Sequence, residues 1–389
     1  MTRTLNLLAF VVFASSLFTR ATDPVIPQIA HGLDVETATA ALLSTAYSLP
    51  YALVQPLLGA LADMFSKARL MLLCLFIVTV ASIGCGLAPN FHLLIAGRVV
   101  AGLASGGVVP IAFALVGDLV PVRERQVAMG RILFAIMTGN LLGATCAGVI
   151  GDLVGWRGVF FATAAFGALV LGASVPRLRS DAAAPGRFDF SMFVPNYRAI
   201  FENPLAKICF AAVFLEAVFM YGMFPYVATM LRQAGEDRAA IAGIVIAGFG
   251  VGGAFYGVFV SRLLPRLGET RMMRLGGVAM AFTLVVLALR VPWPAQFFNF
   301  ALLGFGFYMV HAVIQIYASE LVPSARGSAM ALHSFFFFLG QALGPIVYGA
   351  GLNSIGLDPV LLFGAVVLLG VGLTCAQWLR RPADAQSGV

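Results

Sequence analysis

Apolar runs long enough to cross a membrane recur along this chain, each ended by a short charged or Pro/Gly-rich break, and no other feature restricts its fold so tightly. A helix rises ~1.5 Å per residue and a hydrocarbon core is ~30 Å thick, so about 20 apolar residues make one crossing. Within lipid the backbone has no water to bond, and a continuous apolar run pairs its own N–H and C=O groups only as a helix. The breaks separate twelve spans, at 5–29, 37–62, 70–88, 91–120, 127–154, 159–175, 206–231, 239–260, 272–289, 295–322, 328–352 and 359–379. Charged residues are 11% of the chain and hydrophobic residues 60%, whereas about a quarter of a soluble domain is charged. The expected fold is all-α and integral to the membrane, with twelve transmembrane helices.

Basic residues set the orientation, because Lys and Arg concentrate in cytoplasmic loops. With the N-terminus inside, only Arg157, Arg232, Arg238 and Arg290 fall outside, Arg20 and Arg98 fall deep within spans, and the rest lie on the cytoplasmic side, some of them, Arg131 and Lys207 included, at the cytoplasmic ends of spans. Both termini are then cytoplasmic. The net charge of +7 comes from short clusters between apolar runs, not from one basic face, so no nucleic-acid partner is expected. The five cysteines, Cys74, Cys85, Cys146, Cys209 and Cys375, include no Cys-x-x-Cys pair, and neither disulfides nor a metal site is expected. Arg3 and the apolar run 5–18 also fit a secretory signal peptide, but that run has a counterpart in the second half, which favours a retained helix.

The one long hydrophilic connection divides the chain into a first bundle at 1–175, a cytoplasmic linker at 176–206 and a second bundle at 207–389. The two sides repeat each other at an offset of about 201 residues. Asp118-Leu-Val-Pro121 recurs as Glu320-Leu-Val-Pro323, and Gly139-x-x-x-Gly143-Ala144 as Gly340-x-x-x-Gly344-Pro345. Val12-Phe13 matches Val213-Phe214, and Asp23-Pro24 matches Phe224-Pro225.

No Gly-rich loop with Lys-Ser/Thr, no metal-spaced His or Cys pair and no large soluble domain occurs. Neither an enzyme nor a bound cofactor is expected, and any work the chain performs must draw on a gradient.

Between spans two and three lies Gly59-Ala-Leu61-Ala-Asp63-Met-Phe-Ser66-Lys67-Ala68-Arg69. It resembles the signature Gly-x-Leu-x-Asp-x-x-Gly-Arg-Lys of the major facilitator superfamily. Gly59, Leu61 and Asp63 fit; Ser66 replaces the second Gly, Lys67 stands where Arg is usual, and Ala68 replaces the Lys. Span five keeps Gly139, Gly143 and Gly148 of a stretch that the family's proton-exchanging exporters carry, with Ala144 for its Pro and Ala147 for a Gly. Gly155-Trp156-Arg157 resembles the turn those exporters place before helix six, and Arg98-x-x-Ala-Gly102 resembles the family's pattern in span four.

The resemblance implies two six-helix bundles facing one another in the cell (inner) membrane. The family's drug:proton antiporter branch, the nearest in pattern, implies a small-molecule substrate, with export of small amphiphilic compounds or metabolites by alternating access, protons as the coupled ion, and a monomer in the lipid bilayer; transport of a small organic anion, or a non-transporting receptor of the same fold, is the alternative. By the resemblance, Gly59, Asp63, Lys67, Asp118 and Arg326 form a cytoplasmic gate, with Asp63 near the start of span eleven and Lys67 on Asp118. Gly139, Gly143, Gly148, Gly340, Gly344 and Pro345 serve helix packing.

Charges within the spans are the remaining candidates, since a charge in lipid costs several kcal/mol unless paired or wet. Arg20 and Asp23 lie three residues apart on one helix face, at about the depth of Arg98. Asp23 could reach either arginine, and Arg98, with Arg20 as the alternative, is expected to pair with it for proton coupling; a static ion pair would use the same groups. Glu216, near the midplane of span seven, is a candidate for substrate recognition. Tyr47, Tyr51 and Gln55 form a polar stripe in span two, and His311 and Gln315 share that spacing in span ten. All five are candidates for the substrate cavity, with satisfaction by neighbouring helices as the alternative. His333 is a further candidate. The run Phe335 to Phe338 covers every side of its helix and is expected to serve mostly lipid contact or packing.

Overall fold

The computed structural model describes residues 2–64, 66–178 and 193–379. Within these, the side chains of residues 2, 3, 58–64, 122, 123, 126, 177, 178 and 193 are not described. The described residues form helices and no strand. In order they are α1 (Thr2–Arg20), a 3-10 turn (Asp23–Val25), α2 (Ile26–Gly32), α3 (Thr37–Met64), α4 (Lys67–Leu87), α5 (Phe91–Leu119), α6 (Val122–Leu178) and α7 (Phe193–Glu202). The second half follows with α8 (Pro204–Tyr221), a 3-10 turn (Phe224–Tyr226), α9 (Val227–Gln233), α10 (Ala239–Ala288), α11 (Trp293–Glu320), α12 (Arg326–Ser354) and α13 (Leu357–Trp378).

Nine stretches among the described residues are long and apolar enough to cross a membrane, and two of them run for 50 residues. Fifty residues of helix measure ~75 Å, more than twice a hydrocarbon core. Both are broken by glycine: α6 at Gly155 (φ 76°) and α10 at Gly268 (φ 69°). Side chains other than glycine rarely adopt that backbone, so each glycine turns the chain and makes two crossings of one long helix. With α3, 28 residues long, twelve crossings result, as the apolar runs predict.

Proline placement explains the other interruptions. Pro24 lacks an N–H and breaks the ladder between α1 and α2; Pro225 does the same between α8 and α9. The two 3-10 turns stand 201 residues apart, so the repeat read in the sequence is also a repeat of backbone conformation.

The first half comprises α1 to α6 and the second α8 to α13. They meet where α3 packs on α12 and where the first limb of α6 packs on α10. Bonds between the halves gather toward the end opposite to where α1 begins. There Thr45 donates to the Ala342 carbonyl at 2.6 Å, and Asn353 donates to Glu36 at 3.1 Å. A Cβ on Gly130, Gly257 or Gly327, nearer the end where the chain begins, would meet nothing within 4 Å.

One helix was not legible in the hydrophilic connection. Residues 193–202 form α7, whose Ile200 is fully buried against the second half and whose Tyr197 hydroxyl donates to the Pro56 carbonyl at 3.5 Å.

Candidate functional site

A cavity of about 210 Å³ lies between the halves, lined by aliphatic and polar side chains and by aromatic rings, among them Tyr51, Tyr221, Phe307, Phe337 and Phe338. Rings from the two halves meet at its edge, where Tyr51 and Phe338 have centroids 3.9 Å apart. The Phe335 to Phe338 run divides, instead of serving mostly lipid contact or packing. Phe337 and Phe338 line the cavity, whereas Phe336 stacks on Phe210 at 5.1 Å. Four consecutive rings point all round a helix, and only the packing of α12 decides which two face inward.

Arg20 lies at the junction of α1 with its proline turn and projects into the cavity wall. Its Nη1 donates to Asp23 Oδ2 at 3.3 Å and its Nη2 to Gln341 Oε1 of the other half at 2.8 Å. Its guanidinium carbon lies 4.4 Å from the centre of the Tyr221 ring and 4.9 Å from that of Phe224. Asp23 is fully buried and also accepts from Ser44 Oγ at 2.9 Å. The carboxylate is thus held by one cation and one hydroxyl, and any change in its charge is felt directly by a side chain that bridges the halves.

Arg98 does not form the ion pair with Asp23 expected of it; the alternative, Arg20, does. Arg98 is 2% exposed, donates from Nε to the Leu43 carbonyl (3.3 Å) and from Nη1 to the Phe18 carbonyl (3.2 Å), and lies 4.3 Å from the Tyr47 ring centre. Gly102 allows this arrangement, because any Cβ there would strike the Tyr47 backbone and push α5 from α3.

In the second half Glu216 is fully buried, and its Oε2 lies 2.8 Å from His311 Nδ1. His311 lines the cavity, stacks on Phe307 at 4.6 Å and meets His333 edge-on at 5.1 Å. Glu216 is not itself among the lining residues, and its hydrogen-bond partner His311 is. Its Oε1 and the Nε2 of buried His333 have no hydrogen-bond partner among the described residues.

The polar stripe of α3 divides. Tyr51 lines the cavity. Tyr47 lies under Arg98 with its hydroxyl 3.3 Å from Thr19 Oγ1, and Gln55 donates to the Gly106 carbonyl at 3.1 Å. These two join helices within the first half. Gln315 is exposed and outside the lining. Asn140, Tyr221 and Gln341 line the cavity without having been singled out; the match of Tyr221 with Arg20 at the repeat offset was the available signal.

At the gate, Lys67 Nζ lies 2.7 Å from Asp118 Oδ2, and Arg326 is exposed at the first turn of α12. The side chain of Asp63 and the surroundings of Gly59 lie outside the described residues. The packing glycines pair by repeat. Gly139 and Gly143 bring α6 onto Phe13 and Leu17 of α1, while Gly340 and Gly344 bring α12 onto Phe214 and Val218 of α8. Gly148 abuts Ala239 of the other half, and the Pro345 carbonyl accepts from Tyr226 at 2.7 Å.

Among known proteins, the chain is similar to the uncharacterized MFS-type transporter YwfA of Bacillus subtilis (strain 168), with 26% identity over 93% of this chain and 89% of that protein. Multidrug resistance protein 2 of the same organism is 24% identical over 97% of this chain and 96% of its own length. The fold resembles the crystal structure of a bacterial homolog of the human lysosomal transporter Spinster, described as inward-facing and unoccupied. The TM-score is 0.71 with 18% identity, over 96% of this chain and 95% of that one. The sequence model of the Major Facilitator Superfamily matches residues 8–293 and 236–388. Two repeat-related helical halves around a central cavity, matched along nearly the whole length, make this chain a membrane transporter of the Major Facilitator Superfamily.

Proposed function

We propose that this protein is a proton-coupled secondary transporter that exports small, amphiphilic, largely aromatic compounds by alternating access. The observation that carries this reading is the cavity wall, where Tyr51 of the first half and several rings of the second stand beside Arg20, whose ion-pair partner is the fully buried Asp23. Rings bind flat apolar solutes without a fixed hydrogen-bond pattern. The ion pair supplies a group whose protonation state can differ between two arrangements of the halves. Relatives named as multidrug resistance proteins support the substrate class. On this reading the end where α1 begins is cytoplasmic, and the bonds joining the halves at the opposite end support an inward-facing arrangement.

Purified protein in vesicles with an imposed pH gradient tests the proposal. Uptake of a lipophilic aromatic cation into vesicles that are acidic inside, lost when the gradient is collapsed, is the expected result; uptake indifferent to the gradient contradicts it.

A second reading has its own observation. Arg20 is the only Lys or Arg among the described lining residues, so protonation of Asp23 would leave a guanidinium for an organic anion. An aromatic monocarboxylate in the same vesicles separates the two readings.

A further inference from the structure

At the end of the molecule where Thr45 and Asn353 join the halves, the first limb of α6 finishes beside the start of α10. The first N–H groups of a helix have no partner within it. In α10 these include Ala239 and Ala240, and the residue at its N-cap is Arg238, whose side chain makes no capping bond. Arg238 is occupied instead by Glu236, through its Nε at 2.8 Å and its Nη2 at 2.7 Å. The same hydrogen bonds hold the Glu236 carboxyl below the usual range. The cap comes from the other half: Asp152 Oδ1 accepts from Ala239 N at 2.9 Å and Oδ2 from Ala240 N at 2.8 Å. Both carboxylate oxygens are used, on two successive donors, where the helix dipole favours negative charge.

Two further observations place this contact by construction. A Cβ on Gly148 would meet the Ala239 carbonyl, and one on Gly243 that of Ala144. The backbones therefore touch along this line, and the short Asp side chain reaches the N–H groups. The repeat counterpart, 201 residues on, is Asn353, which donates to Glu36 just ahead of α3 instead of accepting from backbone N–H groups. A carboxylate cap is present on one side of the interface and an amide-to-carboxylate bond on the other. The spacing Gly148-Val-Ile-Gly-Asp152 also echoes Gly59-Ala-Leu-Ala-Asp63, at the last turns of two helices that finish at opposite ends of the molecule.

We propose that Asp152 is an interdomain latch: by capping α10 from α6 it holds the two halves closed at this end, and its release is a required part of opening there. This goes beyond the transport reading and shares with it only the relative motion of the halves.

The test measures distance and needs no substrate or gradient. Spin labels at exposed Leu153 of α6 and exposed Gln233 of α9, in a background with the five cysteines replaced, report separation of the halves by pulsed electron resonance. Asp152→Ala should raise the ratio of separated to closed molecules about fivefold, the cost of losing an acidic cap. Asp152→Asn, which keeps an acceptor, should fall between Ala and the parent. Asp237→Ala, which removes a neighbouring carboxylate bonded to Arg232 of its own half at 3.0 Å, should leave the ratio unchanged. Size-exclusion profiles matching the parent establish that each variant is folded, and the Asn variant carries the test if the Ala variant is not. A distance distribution in the Asp152 variants that superimposes on the parent overturns the latch even if the vesicles transport. An equal shift from Asp237→Ala overturns it too, by showing that general charge loss suffices. Vesicle flux decides the transport reading separately.

Discussion

The guanidinium carbon of Arg20 lies 4.4 Å from the centre of the Tyr221 ring, and Tyr221 holds in the second half the place that Arg20 holds in the first, 201 residues earlier. One repeat position thus carries a cation, the other an aromatic face for it, and the contact spans the cavity between the halves. A cation over a ring gains about 0.5–2 kcal/mol, more when dry. Tyr221→Phe keeps the ring and should leave substrate Kd within about twofold. Tyr221→Ala removes it and should weaken binding of aromatic compounds by roughly tenfold, about 1.4 kcal/mol and inside that range. Equal Kd values for the two variants would remove Tyr221 from the site.

Arg98 donates to the Leu43 and Phe18 carbonyls and covers Tyr47, contacts that tie α5 to α3 and α1. Arg98→Ala should lower stability by about 3 kcal/mol, from two bonds to a charged donor at ~1.5–3 kcal/mol each. It should not flatten the pH dependence of substrate binding. Thermal unfolding and binding measured across pH 5 to 9 check both halves of this statement. A flattened pH profile in a folded variant would restore Arg98 to the coupling pair.

Glu216 Oε2 lies 2.8 Å from Nδ1 of His311, which lines the cavity. Glu216→Gln keeps a hydrogen-bonding group beside the imidazole but removes the charge, so transport of cationic compounds should fall while that of neutral aromatic ones persists. Glu216→Ala leaves Nδ1 of His311 without this partner, at a cost of about 1–3 kcal/mol, and should impair every substrate. Uniform loss in the Gln variant would assign Glu216 to coupling instead of recognition.

At the other end of the first half, Lys67 and Asp118 lie 2.7 Å apart but are partly solvated, and such a pair is worth about 1 kcal/mol or less. Lys67→Glu should slow transport several-fold with little change in Kd, and adding Asp118→Lys should recover most of the rate. Absence of recovery would mean that the pair is incidental to gating.

Helix number and the repeat were legible because apolar length and residue spacing are properties of the chain itself. Gly155 and Gly268 turn where charged or polar breaks end two runs, and Pro24 and Pro225 interrupt matching helices. The site was legible only in part. A buried ionisable residue announces itself by its cost, so Arg20, Asp23, Arg98, Glu216 and His311 all stood out. Their partners did not, because sequence gives depth along a helix but not its rotation. Arg98 and Asp23 share a depth, yet α5 turns Arg98 toward the carbonyls of α3 and α1. Rotation also decided that Tyr51 faces the cavity while Tyr47 and Gln55, on the same stripe, face α1 and α5.

The central claim, that the Asp23 carboxylate gripped by Arg20 carries the coupled proton, is tested most directly by proton release on substrate binding. Detergent-solubilised protein in weak buffer, mixed with a lipophilic aromatic compound, should release protons in the parent. Asp23→Asn should still bind the compound, release no proton and support no gradient-driven transport. Proton release from the Asn variant equal to that of the parent would contradict the account and move the coupled carboxylate to another residue, with Glu216 the next to examine.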